Sequence, residues 1–249
     1  MVVTSIKASM NQKSIPSDLS AFPSPHLAVD LVLFTIEDHA LKVLTMERSA
    51  APFAGCQVLP GGFVHPGETL DDTARRILAD KAGLRNLPVE QLYTFSAPGR
   101  DPRGWVVSAA YFALVPYAQL HAAAGETEGL RLPRVMADPA GAAVQIGDSN
   151  TPVPLGFDHA EIIHMALLRL RGKLDWSSLS FALLPEQFTL LELQHVHETI
   201  LARALNKPHF RKKWHDKVLP DGSHIVATGK FTSGRRHRPA ELYKLKAGQ

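Results

Sequence analysis

The chain has 249 residues, 45% of them hydrophobic and 20% charged, with a formal net charge of +3. At roughly 100–150 residues per domain this supports two packed domains. A single cysteine, Cys56, excludes an internal disulfide framework, and no apolar run approaches the ~20 residues of a membrane span, so a cytoplasmic protein is expected.

The charge is uneven. Between Leu205 and Lys246 eleven Lys and Arg face three acidic residues, a net +8 that leaves −5 for the rest of the chain. Such a segment is either a nucleic-acid-binding module on a mildly acidic body or a solvated basic tail.

Residues 1–25 are polar and carry Pro16, Pro23 and Pro25, which predicts a flexible arm without the apolar core of a secretory signal. From Leu27 the runs AVDLVLFTI and LKVLTMER, separated by the turn-like EDHA, predict two strands in a hairpin. Arg48 closes the second strand, where it is either a phosphate contact or a surface arginine. The next stretch, PGGFVHPGETLDDTARRILADKAGL, contains Thr69 followed by Asp72, a capping-box start, and Gly83 at the place of a left-handed helix C-cap. A helix over 69–82 between two Gly-rich loops is expected.

Gly62, Glu68, Arg76, Gly83 and Leu84 stand at the spacing of a Nudix box, and the stretch resembles that of hydrolases acting on nucleoside diphosphates linked to another moiety. In those enzymes glutamates would occupy positions 77, 80 and 81; here the residues are Ile77, Asp80 and Lys81. Mg²⁺ is held by carboxylate and phosphate oxygens, and a lysine in the ligand set repels it, so neither a metal site nor a catalytic residue is expected. The Lys81 ammonium could instead neutralise a bound diphosphate, or could face solvent.

Beyond the box, segments 92–96 and 106–115 predict strands joined by APGRDPRGW. Arg100, Arg103 and Trp105 in that loop could clamp phosphate and stack on an adenine, while Asp101 could accept from ribose hydroxyls or pair with an arginine. Residues 116–156, rich in Ala, Gly and Pro, read as a strand plus a mobile insertion. LGFDHAEIIHMALLRLRGKL then predicts a helix with Asp158 as N-cap and Ile162, Met165, Leu168 and Leu170 near one face. His159 and His164 are five residues apart, the wrong spacing for a shared metal, and are expected to be structural or exposed.

After a linker near 175–178, Thr189 and Glu192 form a second capping box for an amphipathic helix with Leu190, Leu193, Val196, Ile200 and Leu201 on its apolar stripe. Asn206 starts a short basic helix, followed by a strand, an arginine-rich turn and a closing strand, the order of a winged helix. Lys207, His209, Arg211, Lys212 and Lys213 fall on the recognition helix and Arg235, Arg236 and Arg238 on the wing. Phe210 and Trp214, spaced i and i+4, are expected to be its buried face.

Taken together, the degenerate box, the RDPRG loop, the LGFDHAEI helix and FTLLELQ…NKPHFRKK…GRRHRPAELYKL resemble the NrtR group of Nudix-related transcriptional regulators over residues 27–246. The resemblance implies an α+β protein: a flexible arm (1–25), a Nudix-like α/β/α sandwich with a mixed sheet (26–175) and a winged helix (180–249). It further implies a homodimeric repressor of NAD-metabolism genes on a palindromic double-stranded DNA operator, with ADP-ribose or a related nucleotide as effector and no cofactor required. The ligand residues it implies are Arg48, Gly61, Gly62, Phe63, Glu68, Lys81, Arg100, Asp101, Arg103 and Trp105. Two competing readings are an active ADP-ribose pyrophosphatase with a basic appendage, using Glu68 and Asp80 for one metal, and an RNA-binding Nudix protein.

Overall fold

The computed structural model describes residues 18, 20, 22–137, 144–148, 151–233 and 239–248. In chain order the body contains β1 (His26–Glu37), β2 (Ala40–Val43), β3 (Thr45–Glu47), β4 (Gln57–Val58), β5 (Gly61–Phe63), α1 (Leu70–Ala82), β6 (Glu90–Phe95) and β7 (Val106–Leu114). It continues with α2 (Tyr117–Glu126), β8 (Leu130–Arg131), β9 (Arg134–Ala137), β10 (Val144–Asp148), β11 (Thr151–Pro152) and α3 (His159–Lys173). A short 3-10 helix, Leu179–Leu183, leads to α4 (Leu190–Leu201), α5 (Lys207–His215), β12 (His224–Phe231) and β13 (Glu241–Lys246).

The apolar run of β1 is buried on both faces because it lies centrally in an eight-stranded sheet, parallel to β7 and antiparallel to β2 and β5. Its period of two divides the core. Val29, Leu31 and Leu33 meet Ala74, Ile77 and Leu78 of α1, while Val32 and Phe34 meet Ile162, Ile163 and Ala166 of α3 on the opposite face. Helices on both sides of a mixed sheet make the expected sandwich. A three-stranded sheet, β4-β3-β8, flanks it.

α1 starts where its sequence says it should. The Thr69 side chain accepts from the Asp72 N–H, Asp72 reciprocates to the Thr69 N–H, and Gly83 ends the helix at φ 64°.

Three local expectations need correction. Asp158 sits at the N-cap position of α3 but makes no capping bond, because its carboxylate is drawn to Arg100. Leu168 does not belong to the buried stripe: it is 40% exposed, and the covered face runs through Ile162, Ile163, Ala166, Leu167 and Leu170. Within 116–156, YAQLHAAAGE forms α2 and four short strands follow. Residues 138–143 and 149–150 of that segment lie outside the described residues.

The C-terminal portion has its own apolar centre of Phe188, Leu190, Leu193, Phe210, Trp214 and Ile225. α4 carries the full Thr189–Glu192 capping box, and the Asn206 side chain accepts from the His209 N–H to start α5. β12 and β13 pair antiparallel, and Phe188 bonds through its backbone to Tyr243, extending that ribbon.

Candidate functional site

One cavity of about 380 Å³ opens at the meeting of the β3 end, the β5 loop, α1 and the loop before β7. Eight of the ten expected ligand residues line it: Arg48, Gly61, Gly62, Phe63, Lys81, Arg100, Asp101 and Arg103. Glu68 and Trp105 are not among its lining residues. The Trp105 side chain is 55% exposed, and Glu68 is spent on its own loop. Both Glu68 oxygens accept from Arg76 (2.6 and 2.9 Å), and Thr73 Oγ1 and the His65 N–H also donate to it. The Arg76 hydrogen bond outweighs the opposing effect of burial and pulls the Glu68 carboxyl down to about 2.

Beneath the cavity lies a knot of buried charge that sequence reading missed. Asp30, in the middle of the apolar β1 run, accepts from Ser108 Oγ at 2.6 Å and faces Arg100 Nη2 at 3.4 Å. Arg100 donates through Nε and Nη2 to the two oxygens of Asp158. His159 is fully enclosed, and its Nδ1 accepts from the Leu59 N–H at 2.8 Å, which fixes the neutral Nε2–H tautomer. Burial is also the main cause pushing the His159 pKa down, and its Nε2 lies 3.7 Å from Asp30 Oδ1. Only glycine fits at 61, because a Cβ there would fall 2.1 Å from Asp30 Oδ1 and 3.0 Å from the Val29 carbonyl. The signal available in the sequence was a lone carboxylate inside a hydrophobic strand, which must be paired when buried.

The rim alternates cations and rings. Arg103 lies over Phe63 at 5.4 Å and over Phe157 at 5.5 Å, and Arg48 lies over Phe157 at 5.1 Å. Of the two uses open to Asp101, the structure has pairing with arginine: it forks with Arg103 at 2.9 and 2.6 Å and holds that guanidinium at the rim. Arg48 is braced by the Pro52 carbonyl at 2.6 Å. Lys81 donates to the Gly61 carbonyl from the cavity wall; burial pushes its pKa down while Asp30 pulls it back up.

The fold's hydrolases would need a divalent cation here, and these residues do not fit one. Position 77 is an isoleucine 1% exposed in the core, and its Cδ1 lies 3.6 Å from where a Gly62 Cβ would be. Glu68 is committed to Arg76, and position 81 is a cation. Among the described residues no group of three or more His, Cys, Asp or Glu could hold a metal.

In the C-terminal portion Lys207, His209, Arg211 and Lys212 are exposed on α5, while Phe210 and Trp214 form its buried face. Lys213 does not share the free face: it is half-buried and paired with Asp175 Oδ1 at 2.6 Å. Arg235, Arg236 and Arg238 lie outside the described residues.

Residues 24–143 match the NUDIX domain family, and residues 180–245 match the NrtR DNA-binding winged helix domain. The chain is 32% identical to the "ADPR responsive transcriptional repressor NtrR" of Acinetobacter baylyi over 232 residues, 91% of this chain and 84% of that protein. The crystal structure of Shewanella oneidensis NrtR complexed with a 27mer DNA superposes with a TM-score of 0.71 at 37% identity, covering 88% of this chain and 93% of that one. An ADP-ribose pyrophosphatase of Methanocaldococcus jannaschii is 32% identical over 139 residues, 56% of this chain and 71% of that enzyme. With a relative of this identity aligned across nine-tenths of this chain, a Nudix body and a matching winged helix, the chain belongs to the NrtR family of transcriptional regulators.

Proposed function

We propose that this regulator binds ADP-ribose or a related nucleotide in the cavity of its body without hydrolysing it, and that ligand controls repression of NAD-metabolism genes from a palindromic operator. It acts as a cytoplasmic homodimer, with residues 26–175 sensing and 180–249 reading DNA. The observation that carries the reading is Lys81. An ammonium lines the cavity where a hydrolase places a metal-binding carboxylate, so the charge that a diphosphate needs opposite it is already part of the chain.

Arg48 and Arg103 add two guanidiniums at the rim, and Phe63 and Phe157 offer ring faces suited to a base. On the DNA side, Lys207, His209, Arg211 and Lys212 present their side chains from α5, and Arg235, Arg236 and Arg238 serve the wing. Calorimetry with ADP-ribose should give the same affinity in EDTA as in Mg²⁺, beside a gel shift on the DNA upstream of the protein's own gene that ADP-ribose alters. Turnover of ADP-ribose at ordinary hydrolase rates in Mg²⁺ would overturn the reading in favour of the pyrophosphatase.

A further inference from the structure

A second and larger cavity, about 720 Å³, lies between the body and α4, lined by the β1–β2 turn, β9, α3 and the C-terminal half of α4. Its volume is within the range of small-molecule sites. We propose that this cleft is a second binding site, distinct from the nucleotide cavity, for a small multivalent anion of the phosphorylated or polycarboxylate class, and that an anion held there fixes α4 against the body.

The donors come from both sides. His39 belongs to the two-residue turn after β1, where Asp38 and His39 both take left-handed backbone, φ 47° and 58°. A two-residue hairpin turn of this type requires positive φ at both positions, and this backbone sets the His39 imidazole on the cleft wall. Its ring meets His195 of α4 edge-on, with centroids 5.0 Å apart. Arg134 of β9 lines the same space and is exposed, and its side chain makes no hydrogen bond or ion pair with the described residues. A planar guanidinium in that state, beside two imidazole N–H groups, suits a carboxylate or phosphate.

Two features oppose an anion: the Glu198 charge, which neutral donors engage without cancelling, and the negative end of the α4 dipole, which a guanidinium offsets. Glu198, the one acidic side chain in the described lining, has Oε1 taken by Gln194 Nε2 and the Leu205 N–H, both at 2.8 Å. The negative end of the α4 dipole is capped by Arg171, whose Nε donates to the Ile200 carbonyl at 2.9 Å. Because Glu198 also ties the α4–α5 turn at Leu205, one residue before the Asn206 cap of α5, an anion that orders His195 and its neighbours acts next to the start of the basic helix.

The test is calorimetry of the full chain, its nucleotide cavity first saturated with ADP-ribose, with pyrophosphate and, separately, citrate, which distinguishes phosphate from carboxylate sources. Arg134→Gln and His195→Gln should each weaken the better probe tenfold or more and leave ADP-ribose binding unchanged; Lys81→Met should leave probe binding unchanged. Absence of binding by either probe at millimolar concentration overturns the proposal. So does binding that Lys81→Met abolishes and Arg134→Gln leaves alone, which would place the anion in the nucleotide cavity.

Discussion

Arg100 and Asp158 are joined by two parallel hydrogen bonds, Nε to Oδ2 at 2.8 Å and Nη2 to Oδ1 at 2.7 Å, with both side chains nearly enclosed. The pair fastens the loop before β7 to the N-cap residue of α3, and so ties the cavity wall to the helix that packs against α4. Removing one member leaves buried carboxylates uncompensated, since Asp30 also depends on Arg100. Arg100→Ala is therefore expected to cost about 3–5 kcal/mol. Thermal unfolding should show a Tm lower by on the order of 10 °C, and a fall of less than about 2 °C would mean that the knot is not structural.

Position 77 decides whether the box can be repaired. Ile77 fills the core between α1 and β1 in contact range of Gly62, so a carboxylate placed there has neither water nor a cation. Ile77→Glu should destabilise by about 3 kcal/mol or more, and Ile77→Glu with Lys81→Glu should yield no hydrolase. Lys81→Met should fold normally and weaken ADP-ribose binding tenfold or more. Mg²⁺-dependent ADP-ribose cleavage by the double variant would refute this account of the missing chemistry.

His197 gives the winged helix an acid limit. Its imidazole is enclosed between Phe210 and Trp214, with Ser180 Oγ 3.3 Å from Nε2, and burial foremost pushes its pKa from 6.5 down to about 4. In the folded chain it is neutral throughout that interval, whereas the unfolded chain takes up a proton. Its contribution to stability is complete above pH 6.5 and is lost as pH falls towards 4, amounting to roughly 3 kcal/mol at most. Denaturant unfolding of wild type and His197→Gln at pH 7 and pH 5 should show a smaller pH dependence in the variant. Equal dependence in both would exclude His197 as its source.

Local signals were legible in the sequence, and signals that depend on a partner far along the chain were not. The boxes at Thr69 and Thr189 and the pair Phe210 and Trp214 each lie within four residues, so their geometry follows from helical spacing alone. α2 escaped because Pro116 provides no side-chain cap and only Leu120 and Ala123 of its ten residues are buried, leaving hardly any apolar period to detect. Leu168 was misplaced because α3 is apolar on more than one side, so the stripe facing the sheet is chosen by tertiary packing. Arg100 is a similar case: the loop announced it as an anion contact, and the carboxylates of Asp30 and Asp158, 70 and 58 residues away, hold it inside the knot.

DNA affinity should be strongly salt-dependent and unequal among the basic residues. With several phosphate contacts, affinity falls by orders of magnitude between low and physiological salt. Arg211→Ala, on the exposed face of α5, should lower affinity and, where it reads a base edge, relax specificity by roughly 1–3 kcal/mol at one position. Fluorescence anisotropy on operator and scrambled DNA across a salt series measures both effects, and an affinity indifferent to salt would contradict the electrostatic interface.

Lys213 should behave differently from its neighbours, because its half-buried ammonium is paired with Asp175 of the linker. Asp175, two residues beyond α3, accepts from Lys213 at 2.6 Å, and its backbone carbonyl accepts from Lys217, whose ammonium lies over Trp214 at 4.6 Å. Burial pushes the Asp175 carboxyl up, but the Lys213 hydrogen bond and charge outweigh it and the net shift is downward. Arg171 makes the second tie, from α3 to the Ile200 carbonyl of α4. Ligand can shift DNA affinity only by its preference for one arrangement of body and winged helix, and these ties carry such a preference to α5. Asp175→Asn should therefore leave ADP-ribose binding intact and change operator affinity without ligand by a few-fold, while reducing the factor by which ADP-ribose alters it. Lys213→Ala should do the same and keep the salt dependence of the wild type, because a lysine already paired adds no phosphate contact. If Lys213→Ala instead flattens the salt dependence and leaves the ligand response whole, Lys213 is a phosphate contact and the link from α3 to α5 runs elsewhere.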